Sequence, residues 1–199
     1  MWPFSRKSKD RTSAASVSVR QALEQLATLG IRRCAGISDD DLLLSLGGTL
    51  DSPADWVGLL CTLGGEVERG EFQRISDDIW HVDAECIEDN GDYVRLVERF
   101  AILTKGLLPL KNIRDHVDIE AGEAWVEFDL DGKTIHWDLP VDNDWMAPEL
   151  YSNLQELVSA RSEKKFFIVA LGQDSLVCFG DAAMKDTLSQ LSGLNFEWE

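Results

Sequence analysis

Each of the three histidines in this chain is followed two residues later by an aspartate. The pairs are His81 with Asp83, His116 with Asp118, and His136 with Asp138. Each pair lies in a segment predicted to be a β-strand, and the strand period of two places both side chains on one face. Imidazole and carboxylate groups can together bind zinc or non-haem iron, or transfer protons. If the three strands are neighbours, these pairs could form the centre of a metal-dependent or acid–base hydrolase.

A solvent-exposed sheet face explains the same pairs without a metal. The residues between each histidine and aspartate are Val82, Val117 and Trp137. Their side chains point to the opposite face of the strand, which is where a core would lie. The histidines and aspartates then face water. The sequence favours this interpretation and predicts no metal or other cofactor, and it leaves the hydrolase as the alternative.

Two acidic segments that contain a tryptophan are the candidates for a partner-binding surface. The members of the first are Asp142, Asp144, Trp145 and Glu149. The members of the second are Trp80, Glu85, Glu88 and Asp89. Carboxylates around an exposed aromatic ring suit a basic protein surface, since aromatic side chains anchor interfaces and opposite charges select the partner. The alternative is a pair of polar loops in which each tryptophan only fills a gap.

The charge of the chain is strongly negative and unevenly distributed. The formal net charge of the 199 residues is -17. Residues 1–35 contain seven Lys/Arg and two Asp/Glu, whereas residues 36–199 contain twelve Lys/Arg and 34 Asp/Glu. An acidic body repels the phosphate backbone, so we expect no nucleic-acid partner, and it attracts cationic proteins. Acidity can also serve solubility alone.

Cysteine spacing and the first residues of the chain predict a cytoplasmic protein. The four cysteines form no CxxC pattern and no metal-binding spacing, which favours a reducing compartment. The basic residues near the start are not followed by the apolar stretch of a secretory signal, and no window is long enough to span a membrane. Phosphate-binding loops and the common hydrolase motifs are also missing from the sequence.

Short helices separated by glycine pairs are predicted in the first part of the chain. Residues 1–16 are predicted to be a disordered basic tail, because they are rich in Ser, Lys and Arg. Residues 17–75 are predicted to form an N-terminal helical region. Ser38 is the expected cap of its second helix, and Ser52 is the expected cap of its third helix, which ends at Gly64.

Residues 76–199 are predicted to form an α+β sheet domain. The clearest signal is Asp131-Gly132 between two alternating segments, which is typical of a hairpin. From residue 91 onward the predicted order is α-β-β-β-α-β-β-α. Because hairpins dominate, the sheet should be mostly antiparallel with helices packed on one face. The exposed edges of such a sheet make a homodimer possible.

This element order is similar to that of the type III secretion chaperones of bacteria. In its small size, acidity and α+β character the chain also resembles the immunity proteins that neutralise cognate bacterial toxins. Both resemblances imply a non-enzymatic protein-binding module whose partner is basic, either a toxin or a secreted effector. No residue motif accompanies either resemblance, so neither assigns a role to a particular side chain.

Overall fold

The computed structural model describes residues 17–198, and the predicted basic tail, residues 1–16, lies outside the described residues. The helices in this part of the chain are Val19–Thr28 (α1), Asp39–Leu46 (α2), Trp56–Gly64 (α3), Asp92–Leu103 (α4), Glu149–Ser159 (α5) and Ala182–Ser192 (α6). The strands are Glu66–Arg69 (β1), Glu71–Arg74 (β2), Ile79–Asp83 (β3), Lys111–Asp118 (β4), Glu123–Leu130 (β5), Lys133–Leu139 (β6), Lys165–Ala170 (β7), Asp174–Gly180 (β8) and Glu197–Trp198 (β9).

The strands form three antiparallel sheets, so the predicted α+β fold is confirmed. A two-stranded sheet contains β1 and β2, and a three-stranded sheet has the order β4-β5-β6. The third sheet has the order β3-β8-β7-β9. It joins a strand from the middle of the chain to strands near its end. From α4 to α6 the elements follow the order that the sequence predicts.

Local signals at the hairpin and at the start of α2 act as the sequence predicts. Asp131 and Gly132 have φ angles of 53° and 77°, the left-handed pair that a two-residue hairpin turn requires. The turn sets the register in which Leu130 faces Lys133. Ser38 caps α2, because its hydroxyl accepts a hydrogen bond from the backbone of Asp41.

The predicted start of the third helix at Ser52 is wrong, because a tertiary contact holds this segment extended. Ala54 N–H donates to the carbonyl of Val17, and Val19 N–H donates to the carbonyl of Ser52. The hydroxyl of Ser52 accepts a hydrogen bond from the backbone N–H of Thr49, so it caps no helix. The helix therefore begins only at Trp56.

The hairpin of β1 and β2 was not predicted. Its residues are mostly charged, and only Val67 among them is buried, so the sequence has too few apolar residues to show a strand period. Its position depends on Arg69, which forms an ion pair with Asp41 of α2 and donates to the carbonyl of Gly36. A long-range ion pair of this kind has no local sequence signal.

The four-stranded sheet separates two hydrophobic cores. One face, which includes Val82, Phe166 and Val177, packs with α4, α5 and the three-stranded sheet. The opposite face, which includes Phe167 and Cys178, packs with the N-terminal helices and α6. The predicted arrangement, in which helices pack on one face of a sheet, therefore applies to the three-stranded sheet. The four-stranded sheet is covered on both faces.

The second core contains residues from both sides of the predicted boundary at residue 75. Leu26 of α1 and Leu59 of α3 are fully buried in the same cluster as Phe167 of β7 and Leu188 of α6. The N-terminal helices thus cover apolar surface that the sheet would otherwise expose to water. The domain boundary itself remains a prediction.

Gly64 allows α3 to lie directly on the edge strand β3. A Cβ atom at this position would overlap the backbone nitrogen of His81 and lie 2.8 Å from the carbonyl carbon of Trp80. Only a residue without a side chain permits this approach, because backbone atoms cannot move aside as a flexible side chain can. The contact sets the distance between the N-terminal helices and the four-stranded sheet.

Arg99 connects α4 to the start of the same edge strand. Its Nη2 donates to the carbonyls of Ser76 and Ile79, at 2.8 and 2.9 Å. Burial lowers the pKa of Arg99 to about 10, so the guanidinium is still charged at neutral pH. Beside it, Asp77 accepts a hydrogen bond of 2.7 Å from Nε of Arg74.

Asp115 of β4 holds the first turn of α4. Its carboxylate accepts hydrogen bonds from the backbone N–H groups of Gly91 and Val94. These N–H groups have no partner inside the helix, and a carboxylate also favours the positive end of the helix dipole. The capping group of α4 therefore comes from the three-stranded sheet. It fixes the segment before α4 against β4.

We expect Gly64→Ala to lower the free energy of unfolding by about 1–3 kcal/mol, because the backbone of α3 or β3 must shift to admit the methyl group. Urea unfolding measures this change. Gly58→Ala in the same helix is the control, since its Cβ would meet only the side chain of Asp55 and alanine favours the helix. Equal destabilisation by the two substitutions would contradict the close backbone contact.

The pH dependence of stability should reveal the ion pairs of Asp77. Burial acts to raise the pKa of Asp77, but the hydrogen bond from Arg74 and the charges of Arg74 and Lys105 outweigh it and lower that pKa. Such a carboxylate stabilises the fold above its unfolded pKa of about 4. This contribution is lost as the pH falls through the lower folded pKa.

Asp77→Asn removes this contribution, so the variant should be less stable than the wild type at pH 7. The difference should shrink as the pH falls from 5 to 3, measured by urea unfolding at each pH. Asp186→Asn is the control, because its carboxylate is exposed on α6 and its one ion pair among residues 17–198 is with Lys185. A difference for Asp77→Asn that stays constant across this range would show that its charge does not stabilise the fold.

Candidate partner-binding surface

Two loops that contain the predicted acidic segments lie side by side. One joins β3 to α4 and the other joins β6 to α5. Met146 N–H donates to the carbonyl of Ala84 at 2.8 Å, and Ile87 N–H donates to the carbonyl of Asp144 at 2.9 Å. These backbone bonds hold the loops in a fixed register. The structure therefore unites segments that are distant in the sequence.

Trp145 stands between acidic residues of both loops. Its backbone forms isolated β-bridges with Glu85 on one side and with Asp142 on the other. The side chain is 41 % exposed, which is high for a residue type that usually contributes to a core. We name the group of Asp83, Glu85, Asp142, Asp144 and Trp145 the acidic Trp145 surface.

Gln173, in the turn between β7 and β8, holds two carboxylates of this surface together. Its Nε2 donates to Oδ1 of Asp83 at 2.9 Å and to Oε2 of Glu85 at 2.8 Å. Asp83 Oδ1 also accepts from the backbone N–H of Glu85. Neutral donors thus orient the carboxylates without cancelling their charge. Gln173 is 88 residues from Glu85 in the sequence, so no local pattern predicts this contact.

The carboxylates of the acidic Trp145 surface are not neutralised by basic residues. Among residues 17–198, no lysine or arginine forms an ion pair with Asp83, Glu85, Asp142 or Asp144. Neighbouring carboxylates of like charge repel each other. A cationic group that binds here therefore gains attraction and relieves that repulsion.

A cavity of about 310 Å³ opens beside the exposed indole. It is lined by Pro140, Asp142, Trp145, Met146, Ala147 and Pro148. Its wall is mainly apolar, and the proline rings make it stiff because their φ angles are fixed. Tyr93, which is buried in α4, accepts a hydrogen bond from the backbone of Ala147 at 3.2 Å and supports the loop from below. The cavity can hold one apolar side chain or the methylene part of a long one.

Glu88, Asp89 and Glu149 lie at the margins of this surface. The backbone N–H groups of Glu88 and Asp89 donate to the carboxylate of Asp92, which forms the turn before α4 and leaves both side chains exposed. Glu149 is exposed at the first position of α5, directly after the cavity-lining Pro148. These three carboxylates add negative charge around Trp145.

The structure does not bring Trp80 to the acidic Trp145 surface. Trp80 is half-buried, and its ring packs edge to face on Phe100, with ring centroids 5.3 Å apart. It lines a different groove, between α4 and the hairpin of β1 and β2. The prediction that grouped it with Glu85 rested on nearness in sequence, but Trp80 lies near the start of β3 and Glu85 lies in the loop after it.

The three His-x-Asp pairs do not meet. His81 lies on β3 of the four-stranded sheet, whereas His116 and His136 lie on β4 and β6 of the three-stranded sheet. Nε2 of His81 is 3.5 Å from Asp174, and Asp83 contacts Gln173 instead. In the part of the chain that the structure describes, no group of three His, Cys, Asp or Glu residues is placed to hold a metal ion.

His116 and His136 flank Trp125 on the uncovered face of the three-stranded sheet. The ring centroids of the two histidines are 6.0 and 5.2 Å from that of the indole. His136 lies 3.3 Å from Glu127 and 3.2 Å from Asp138. A hydrogen bond from Arg114 lowers the pKa of Glu127. This arrangement is a polar sheet face.

Asp118 does not contact the histidine two residues before it. Its carboxylate accepts a hydrogen bond of 2.8 Å from the backbone N–H of Ala121 and stabilises the turn between β4 and β5. Asp138 is exposed on β6, where its only described contact is with His136. Neither carboxylate is thus shared between two histidines.

The four cysteines offer no activated thiol. Burial raises the pKa of all four, and it brings the pKa of Cys86 to about 11. A thiol with a raised pKa is protonated at neutral pH and is a poor nucleophile. The burial of these residues therefore gives no support to cysteine-based covalent chemistry.

No protein-family model matches the chain, and neither a curated protein nor a solved structure is significantly similar to it. Within residues 17–198, no helix has the length and apolar character that a membrane crossing requires. The acidic Trp145 surface is therefore identified from its own geometry and charge.

We expect His116→Ala and His136→Ala to change the free energy of unfolding by less than about 1 kcal/mol each, because contacts on an exposed sheet face contribute little. Urea unfolding gives the values. Phe128→Ala is the reference, since Phe128 is fully buried beneath the same sheet and should cost about 3–5 kcal/mol. A loss above about 2 kcal/mol for either histidine would contradict a solvated role.

Proposed function

We propose that this chain is a non-enzymatic protein-binding module of the cytoplasm that holds a basic partner protein. An immunity protein that neutralises a cognate bacterial toxin and a secretion chaperone that holds an effector are the two kinds of module that fit. The observation that carries the proposal is the exposed Trp145 between carboxylates of two loops, with no basic residue of the described chain to neutralise them.

The acidic Trp145 surface has the parts of a binding site for an arginine or lysine side chain. The indole offers its face to a cation, an interaction of about 0.5–2 kcal/mol. Asp142 and Glu85 lie beside it and can accept charged hydrogen bonds from the same group. The adjoining cavity can take the methylene stem or a neighbouring apolar side chain of the partner.

The charge of the whole chain supports the same proposal. An acidic body accelerates the encounter with a cationic protein and repels nucleic acid, so we propose no nucleic-acid partner. Long-range attraction brings the partner near, and the short-range contacts at Trp145 then decide whether it remains bound. The salt dependence of association should therefore be steep.

A second copy of the chain is a further possible partner. The strands β4 and β6 are the edges of the three-stranded sheet, and edge strands have backbone groups that can pair with another strand. The hydrolase alternative has less support, because His81 lies in a different sheet from His116 and His136.

Charge reversal on both loops tests the proposal. The double variant Glu85→Lys, Asp142→Lys should bind its partner at least about tenfold more weakly, with a flatter salt dependence, because the replaced carboxylates attract the cationic group. The wild type and the variant are immobilised, exposed to a lysate of the producing cells, and compared by mass spectrometry. Affinities for the captured protein are then measured at two salt concentrations.

The control is Glu24→Lys, Glu163→Lys, which changes the net charge equally. Both glutamates are exposed, and neither has a described ion pair. Glu24 lies on α1, and Glu163 follows the far end of α5. A captured protein that both double variants release equally would indicate attraction by net charge alone. A basic protein retained fully by Glu85→Lys, Asp142→Lys would contradict the assignment of the surface.

A further inference from the structure

A groove of about 460 Å³ lies between α4 and the hairpin of β1 and β2. Its floor is the edge strand β3, which contributes Trp80, and the bare backbone of Gly64 and Gly65. Phe72 and Arg74 of the hairpin form one wall, and α4 forms the other. Pockets for small ligands commonly have volumes of about 300–1,000 Å³, so the groove is large enough for one small molecule.

More arginines than carboxylates line the groove, although the protein is strongly acidic. Three arginines line it, Arg74, Arg95 and Arg99, together with only two carboxylates, Glu66 and Glu98. Residues 36–199 contain twelve Lys/Arg against 34 Asp/Glu, so three guanidinium groups on one groove are an unusual concentration of positive charge. Guanidinium groups bind carboxylate and phosphate through paired hydrogen bonds.

Arg99 is a buried cation with an unused donor. The residue is only 7 % exposed, and its Nη1 has no hydrogen-bond partner among residues 17–198. The nearest carboxylate oxygen is Oδ1 of Asp77, 3.6 Å from Nη1 and beyond hydrogen-bond distance. Because Nη1 is itself buried, Arg99 contributes to the groove through its positive charge, which attracts an anion beside it.

Arg74 and Arg95 keep donors available for a ligand. Arg74 donates through Nε to Asp77, and Arg95 donates through one Nη to Asp92. For the remaining guanidinium nitrogens of both residues, the described part of the chain provides no acceptor. The side chain of Arg95 is 68 % exposed, so it can turn toward a bound molecule.

Aromatic rings accompany the arginines. Phe72 is 72 % exposed, which is an unfavourable position for a phenyl ring. Trp80 also lines the groove, and its ring packs edge to face against Phe100. Two aromatic side chains beside guanidinium groups suit a flat ring that carries negative charge, since rings stack and the anion pairs with arginine.

We propose that this groove is a binding site for a small anionic ligand, one that combines a planar aromatic ring with a carboxylate or phosphate group. The anionic group binds Arg74, Arg95 and Arg99, and the ring lies between Phe72 and Trp80. The site is distinct from the acidic Trp145 surface, because the two share no lining residue and select opposite charges.

Four probes separate the features of the ligand. Phenyl phosphate and phenylacetate carry both a ring and an anion, and they distinguish phosphate from carboxylate as the preferred group. Inorganic phosphate lacks the ring, and benzyl alcohol lacks the charge. Binding to the full chain is measured by calorimetry at millimolar probe concentration, with the sites located by chemical-shift changes of arginine Nε–H and tryptophan Nε1–H signals.

At least one of the two ring-bearing anions should bind, and both inorganic phosphate and benzyl alcohol should bind about tenfold more weakly, because each loses one of the two interactions. No binding by either ring-bearing anion would overturn the proposal. Equal binding of inorganic phosphate would remove the role of the rings, and equal binding of benzyl alcohol would remove the role of the arginines.

Arg95→Gln and Phe72→Ala test the location. Both residues are exposed, so the fold should survive, and each change should weaken binding of the ring-bearing anion by about tenfold. Arg114→Gln is the matched control. The side chain of Arg114 is also 68 % exposed and also pairs with a carboxylate, but it lies on the three-stranded sheet, away from the groove. Equal weakening by Arg95→Gln and Arg114→Gln would mean binding by general charge and would overturn the site.

Discussion

The pairing of β3 with β8 is the contact on which both surfaces of this protein depend. It joins residues 79–83 to residues 174–178 and closes the four-stranded sheet between two cores. Because the register pairs Asp83 with Asp174, the loop after β3 comes to the turn that contains Gln173. A different register would separate Gln173 from the carboxylates it holds, and the acidic Trp145 surface would lose its support.

The edge of β3 separates two environments of opposite charge. At its end, unpaired carboxylates surround an exposed indole, and at its beginning, arginines surround a groove. The arginines of the groove form no ion pair with Asp83, Glu85, Asp142 or Asp144. Concentrated charge of each sign is thereby available to external molecules.

Aromatic packing makes this edge strand rigid enough to present both surfaces. Phe100 of α4 meets Trp80, Tyr151 and Phe166 edge to face, with ring centroids 5.0–5.3 Å apart. These rings come from β3, α5 and β7, so one phenyl ring joins four elements. The geometry is the favourable one for aromatic pairs and adds to the free energy of burial. The loops that follow these packed elements therefore begin at fixed positions.

The sequence by itself determined the features that depend on neighbouring residues. The Asp131-Gly132 hairpin, the Ser38 cap and the order of elements from α4 to α6 follow from local conformational preferences and apolar periodicity. The same periodicity predicted that Val117 faces the core and His116 faces away from it. It also identified two acidic segments with a tryptophan in each.

Only the tertiary structure decided which of these segments meet. It joined Glu85 to Trp145 and excluded Trp80 from the acidic surface, and it placed His81 in a different sheet from His136. It also added the charged β1–β2 hairpin and brought Gln173 to the surface. The apolar periodicity of a strand indicates which of its two faces is buried. It does not indicate which other strand will pair with that strand. Long-range pairing is decided by the fit of whole apolar faces, which no local segment encodes.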